Sequence, residues 1–194
     1  KEASSIPRWI ELAGNHDYDG GGILHYRQWI GSTEPRRIVD GGVRWYFLSD
    51  ENLPDGRHLS DATLAWLDED LAWGDGTPAV VCSHHLPPDS ILKSDHEAFY
   101  LKPRDRVRDL LARRRIDCWF CGHEHLSRYS SDRIARVGRT LVVNAASVSH
   151  AYGTEECASI ILERARSGTT WRVRRRRHDL RAFDPAFERE IILQ

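Results

Sequence analysis

Residues Ile116 to Tyr129 read IDCWFCGHEHLSRY: a short apolar run, a glycine, then two histidines flanking a glutamate. An apolar run of this length bounded by glycine predicts a buried strand that opens into a loop. The same form recurs in RWIELAGNHD (Arg8–Asp17), VRWYFLSD (Val43–Asp50) and PAVVCSHH (Pro78–His85), so that three of the four strands end in a histidine-bearing loop. Helical patterns lie between them, which predicts an α/β fold whose ligand site sits beyond the carboxyl ends of the strands.

Two helices are expected. In DATLAWLDEDLAW, Ser60 precedes as N-cap and Leu64, Leu67 and Leu71 fall on one face. In PRDRVRDLLARRR, Val107, Leu110 and Leu111 form the apolar stripe, and Arg113, Arg114 and Arg115 are placed to complement the negative end of the helix dipole. Beyond Ala146 the pattern turns to strands, with CASIILE and TTWRVRR as a hairpin around RARSGT. No repeat or linker divides residues 1–194, so a single domain is expected.

The chain has 194 residues, 40% hydrophobic and 29% charged, the balance of a soluble globular domain rather than a disordered segment. No apolar run is long enough to span a membrane. Four cysteines are too few for a disulfide scaffold and point to a reducing, cytoplasmic compartment. There is no methionine, so the sequence is expected to be part of a longer chain. Charge is uneven: residues 1–100 carry 8 Lys+Arg against 17 Asp+Glu, and residues 101–194 carry 20 against 12. The basic excess centres on RVRRRRHDLR, expected to be an edge strand whose arginines discourage pairing with other chains. A nucleic-acid patch is the competing reading, but no aromatic residues are interleaved as stacking platforms.

The pair Cys118 and Cys121 has the spacing of a metal or redox motif. On a strand, however, residues three apart face opposite sides and cannot chelate one ion. They are expected to be buried and inert. His123 and His125, in a loop, can turn toward one point, with Gly122 permitting the turn. In SHHLPP, His84 and His85 end a buried strand and the prolines stiffen the exit, aiming one imidazole outward, with His84 preferred and His85 as the alternative. In AGNHD, Asn15 offers an amide oxygen to a metal, His16 a proton donor, and Asp17 a carboxylate that can orient the His16 ring.

Together, GNHD, HHLPP and GHEH, in that order and with GRHLSDATLAWLDEDL between the first two, resemble the calcineurin-like metallophosphoesterase superfamily, most closely its bacterial cyclic-nucleotide phosphodiesterase type, over about Trp9 to Glu163. The resemblance implies a mixed β-sheet sandwich flanked by helices, with Asn15, His84 and His123 binding one metal, His125 helping to bind a second, and His16 assisting the leaving group. It implies two divalent or trivalent ions, Mn, Fe or Zn, that activate a water and offset developing charge on a small-molecule phosphoester. The family's D-x-H and G-D-x-x-D motifs, which supply most of the second metal's ligands, do not occur here, and no aspartate precedes Gly14. The N-terminal strand-helix units that carry them are therefore expected to be missing. The stretches YDGGGILHYRQW and PDSILKSDHEAFY would form the rim, with Tyr26, Trp29, Phe99 and Tyr100 expected to serve the core rather than the substrate. The alternatives are a non-catalytic phosphate- or metal-binding domain and a nucleic-acid-binding module using the arginine-rich tail.

Overall fold

A computed structural model describes residues 10–91, 97–125, 133–145, 157–165 and 170–192. After kinked 3-10 turns at Asn15–Gly21 come α1 (Gly22–Trp29), β1 (Arg36–Asp40), β2 (Val43–Leu48), α2 (Asp61–Ala72) and β3 (Ala79–Ser83). Next are α3 (Arg104–Arg113), β4 (Cys118–Cys121), β5 (Ile134–Val137) and β6 (Thr140–Asn144). The chain continues through β7 (Ala158–Arg164), β8 (Thr170–Arg177), β9 (Ala182–Phe183) and β10 (Arg189–Ile192).

Six strands form one sheet in the order β1-β2-β3-β4-β6-β5, and a smaller sheet runs β10-β8-β7 with β9 on β8. Strands β2, β3, β4 and β6 are mutually parallel, so their carboxyl ends emerge on one edge. The apolar runs form strands because both faces of the large sheet are covered, which is why they read as continuous rather than alternating. One face packs Tyr46, Val81 and Trp119 against Leu64, Leu67 and Leu71 of α2 and Val107, Leu110 and Leu111 of α3. The other packs Val43, Val80 and Val143 against Trp171, Val173 and Ile191 of the small sheet. Each fully buried leucine contributes about 1.5–3 kcal/mol. This is the mixed sandwich with flanking helices that the motifs imply.

Local expectations are met where the pattern was strongest. Ser60 Oγ accepts the Thr63 N–H at 3.1 Å and starts α2. On β4, Cys118 faces the small sheet and Cys121 faces the helices, both buried and both free thiols. Burial raises both thiols well above their ordinary pKa, so neither has thiolate character.

Three expectations change. Ile10 to Gly14 forms no strand; it is tied to the sheet and the residues just past β2 by isolated bonds, among them Arg36 Nη2–H to Glu11 O at 3.4 Å, Ala13 N–H to Ser49 Oγ at 3.0 Å and Asp50 N–H to Ala13 O at 2.9 Å, whereas a strand needs a continuous partner. The arginines at the end of α3 do more than face a dipole: Arg113 and Arg114 reach Asp68 of α2 at 3.2 and 2.5 Å, and Arg115 meets Asp117 at 3.2 Å. The arginine-rich β8 lies inside its sheet, not at an edge. Its charges are met by β7 and by the turns that follow β8 and β9 and precede β10: Arg174 by Glu163 and Glu188, Arg175 by Asp184, and Arg177 by Asp179. Arg172 of the same strand is likewise met, by Glu188 and Glu190.

Candidate metal centre

The carboxyl ends of β3 and β4 are neighbours in register, Cys82 opposite Phe120, so the loops after them start side by side. The β3 exit is held by a relay: Trp119 Nε1–H donates to Ser83 Oγ, and the Ser83 hydroxyl donates to His85 O, both at 2.8 Å. The β4 exit is tied to it by the Gly122 N–H, which donates to His84 O at 2.9 Å. The turn itself is made by His123, not by Gly122 as expected: its φ is +59°, and the Glu124 N–H closes back on Gly122 O at 2.7 Å. A non-glycine residue held there stores about 1–3 kcal/mol, a strain typical of functional turns. The Asn144 side-chain amide also donates to Gly122 O at 2.8 Å and fixes the turn from β6.

These constraints bring three donor atoms together. His84 Nε2 lies 2.9 Å from Asn15 Oδ1 and 3.0 Å from His123 Nδ1. Gly14 makes the approach possible, since a Cβ there would stand 2.7 Å from the His84 ring. Ligands at right angles about an ion 2.0–2.2 Å away are about 3.0 Å apart, so the spacing fits a bound transition-metal ion. Charge fits as well. Burial pushes His123 down to about 3, with His85 and His84 adding to it, and burial also lowers His84 against the pull of Asp50. Both rings are therefore neutral near pH 7 with lone pairs to offer.

A cleft of about 400 Å³ opens over this point, lined by His16, His84, Phe99, His123, Glu124 and His125. Among the described residues that line it there is no lysine or arginine. A larger cleft of about 510 Å³ runs past Tyr18, Arg27, Glu51 and Trp66, with no histidine among the described residues that line it.

His125 lines the cleft but stands outside the compact ligand group, which consists of His84, His85 and His123 among the described residues. His16 is exposed, and its Nδ1 lies 2.7 Å from Asp19 Oδ2. Asp19 thus takes the orienting place expected of Asp17, whose Oδ2 instead accepts the Gly14 N–H at 2.7 Å and closes the 3-10 turn. A carboxylate three residues past the cap is positioned for that backbone group, and the kink at Asp19 carries the next carboxylate to the ring. Of the rim aromatics, Phe99 reaches the cleft, Tyr26 and Tyr100 are buried, and Trp29 is exposed. Residues 92–96 of the second rim stretch lie outside the described residues.

Sequence reasoning missed a buried group behind the donors. Asp50, at the end of the VRWYFLSD run, is 1% exposed, and neither carboxylate oxygen has a hydrogen-bond partner. Its Oδ2 lies 2.8 Å from His85 Nδ1, close in distance but without hydrogen-bond alignment. His85 is 2% exposed and its ring is packed between His58, stacked at 3.7 Å and 11°, and His123, tilted 35° at 4.0 Å. Burial pushes His85 and His58 down to about 4 and Asp50 up to about 6. Asp50 ends a strand at the same sheet edge as the histidine motifs, and that placement was the available signal.

Comparison with known proteins agrees with the geometry. The family model described as calcineurin-like phosphoesterase matches residues 2–127. The chain belongs to that family. Among solved structures, a dimetal phosphatase from Danio rerio aligns with a TM-score of 0.57 at 14% identity, covering 82% of this chain and 60% of that one. A purple acid phosphatase from yellow lupin (Lupinus luteus) seeds aligns with a TM-score of 0.58 at 12% identity, covering 89% and 36%. At these identities the likeness concerns the fold, and the chain spans 60% and 36% of the two phosphatases' lengths. A search of curated proteins returned no match. Among the described residues, no helix is long and apolar enough to cross a membrane.

Proposed function

We propose that the chain serves metal-dependent hydrolysis of a small-molecule phosphoester, in a single domain, with Asn15, His84 and His123 holding one ion. The placement of Asn15 Oδ1 and His123 Nδ1 at 2.9 and 3.0 Å from His84 Nε2 carries this reading. Manganese, iron and zinc all suit an imidazole and amide-oxygen donor set. A second ion would find His125 within this chain, its other ligands belonging to motifs that this sequence does not contain. When bound, such ions activate water and offset charge on the phosphoryl oxygens.

The chain's own residues supply the rest. His16 stands at the cleft with Nδ1 held by Asp19, leaving Nε2 to pass a proton to the departing alkoxide. Phe99 packs on the His123 ring at 5.3 Å and gives the cleft an apolar wall for the organic part of a diester.

The test is release of p-nitrophenol from bis-p-nitrophenyl phosphate with added Mn²⁺, for this chain and for the longest natural protein that contains it. Metal-dependent release that falls with His84→Ala supports the reading. Ion binding without hydrolysis in either form would favour a non-catalytic binding domain.

A further inference from the structure

We propose that the larger cleft, between the Asn15–Gly21 turn and α2, binds a neutral polyol such as a sugar or glycerol, the alcohol portion of the phosphoester. Its role in the reaction rests on the reading of the neighbouring metal centre as a phosphoester hydrolase, whereas the binding of the polyol does not.

The cleft is well placed for this. His84 and His123 follow β3 and β4, and Glu51, in the wall of the cleft, follows β2, the next strand of the sheet and about 4.8 Å from β3. One turn serves both clefts: His16 lines the metal cleft, and Tyr18, two residues on, lines the larger one. A volume of about 510 Å³ falls within the range of about 300–1,000 Å³ common to small-molecule sites.

The lining chooses the class of ligand. Arg27, Glu34 and Glu51 bring one positive and two negative charges to the cleft, and Ser60 and Thr63 bring the positive end of α2. An anion would meet the two carboxylates, and a cation would meet the guanidinium and the helix end. A neutral molecule with several hydroxyls suits both signs, because carboxylate oxygens accept its O–H groups and guanidinium N–H groups donate to its oxygens. Glu51 Oε1 accepts the Ser60 N–H at 2.9 Å and the Ser60 hydroxyl at 3.1 Å, which fixes the carboxylate and leaves Oε2 for a ligand. Arg27 and Glu34 are exposed, and neither side chain is in an ion pair among the described residues. Two rings complete the wall. Trp66 is half-buried and set edge to face against Tyr46 at 5.9 Å, and the Tyr18 hydroxyl donates to Asp50 O. Rings held in this way offer rigid apolar surface beside the charged groups, as the C–H face of a sugar needs.

The experiment separates the three ligand classes. The chain, with chelator present so that no ion contributes, is mixed with methyl α-glucoside, choline or acetate, and saturation-transfer NMR reports which of them it contacts. We expect transfer to the glucoside and none to the two ions. Arg27→Ala and Glu34→Gln should each weaken glucoside binding about tenfold, the worth of one hydrogen bond to a charged group, with the circular dichroism and urea midpoint of wild type. No transfer to the glucoside, transfer to choline or acetate in its place, or wild-type binding in both variants would overturn the proposal. The link to hydrolysis is read in the longest natural protein that contains this chain, as the ratio of kcat/KM for the p-nitrophenyl diester of glycerol phosphate to that for bis-p-nitrophenyl phosphate. That ratio should fall about tenfold in the same two variants. A ratio unchanged in both would overturn the polyol's role in the reaction and leave the proposed function standing. Glucoside binding with neither diester hydrolysed would overturn the proposed function and leave the cleft a polyol site.

Discussion

His84 Nε2 and His123 Nδ1 are 3.0 Å apart although 39 residues separate them in sequence, because they follow neighbouring parallel strands whose ends are tied by the Gly122 N–H to His84 O bond. Two neutral imidazoles at that distance share at most one proton, and a cation satisfies both lone pairs at once. Replacing either by alanine is therefore expected to lower metal affinity by more than the roughly 10–100-fold typical of losing an outer partner. Metal content after dialysis measures this. Retention of stoichiometric metal in His84→Ala would place the ion elsewhere.

Gly14 gives a more delicate handle on the same contact. Its φ of −107° is ordinary, so an alanine there is not opposed by the backbone. The added Cβ would meet the His84 ring at 2.7 Å and push it from Asn15 and His123. Gly14→Ala should cost about 1–3 kcal/mol of stability through overpacking and also weaken metal binding. Urea unfolding and metal titration of the same sample test both. Wild-type values in each would show that the ring has room to move.

The 3-10 turn at Asn15–Gly21 divides two acidic roles. His16→Ala is expected to lower kcat about 10²–10⁴-fold in the hydrolysing form of the protein, with metal content unchanged, as for loss of a general acid. Asp19→Asn should reproduce part of that loss in kcat, because it removes the partner 2.7 Å from His16 Nδ1. Asp17→Ala should instead act on stability, by about 0.5–2 kcal/mol, since its carboxylate closes the turn on Gly14. A kcat lowered by Asp17→Ala and untouched by Asp19→Asn would reverse the assignment.

Much of this was legible in the sequence where the signal was local. Short apolar runs ending in GNHD, HHLPP and GHEH placed Asn15, His84 and His123 at one sheet edge, and Ser60 and the leucines of α2 read directly as cap and face. What depended on partners far along the chain did not read. Ile10–Gly14 has a strand's composition but no continuous neighbour to pair with. The arginines of β8 look like an edge until Glu163, Asp184 and Glu188 are brought beside them. Asp50, His58 and His85 are separated by 8 to 35 positions, and only the fold shows that the two imidazoles stack and that Asp50 lies beside His85. The choice between Asp17 and Asp19 turned on a kink that periodicity cannot register.

The buried Asp50 and the imidazoles beside it have opposite effects on folding as pH changes. Burial raises its pKa to about 6 in the folded chain, against 3.8 for the ordinary group, so the folded state binds the proton more tightly than the unfolded state. Its penalty is absent below about pH 3.8, grows as pH rises toward 6, and is complete above that, at up to about 3 kcal/mol. His58 and His85 have the reverse sign: held down to about 4 against 6.5, they are fully stabilising above pH 6.5 and lose that contribution as pH falls toward 4. The metal-free wild-type chain should therefore lose stability between pH 6.5 and 4, each extra proton bound by the unfolded state adding about 1.4 kcal/mol per pH unit to the slope, with Asp50 partly opposing the fall. In Asp50→Asn the opposing contribution is gone. That variant, in the presence of chelator, should be more stable than wild type at pH 8, and the difference should shrink as pH falls through 6 toward 3.8. Urea unfolding at a series of pH values measures it. An Asp50→Asn chain less stable than wild type at pH 8 would mean that the carboxylate is well satisfied in the metal-free fold.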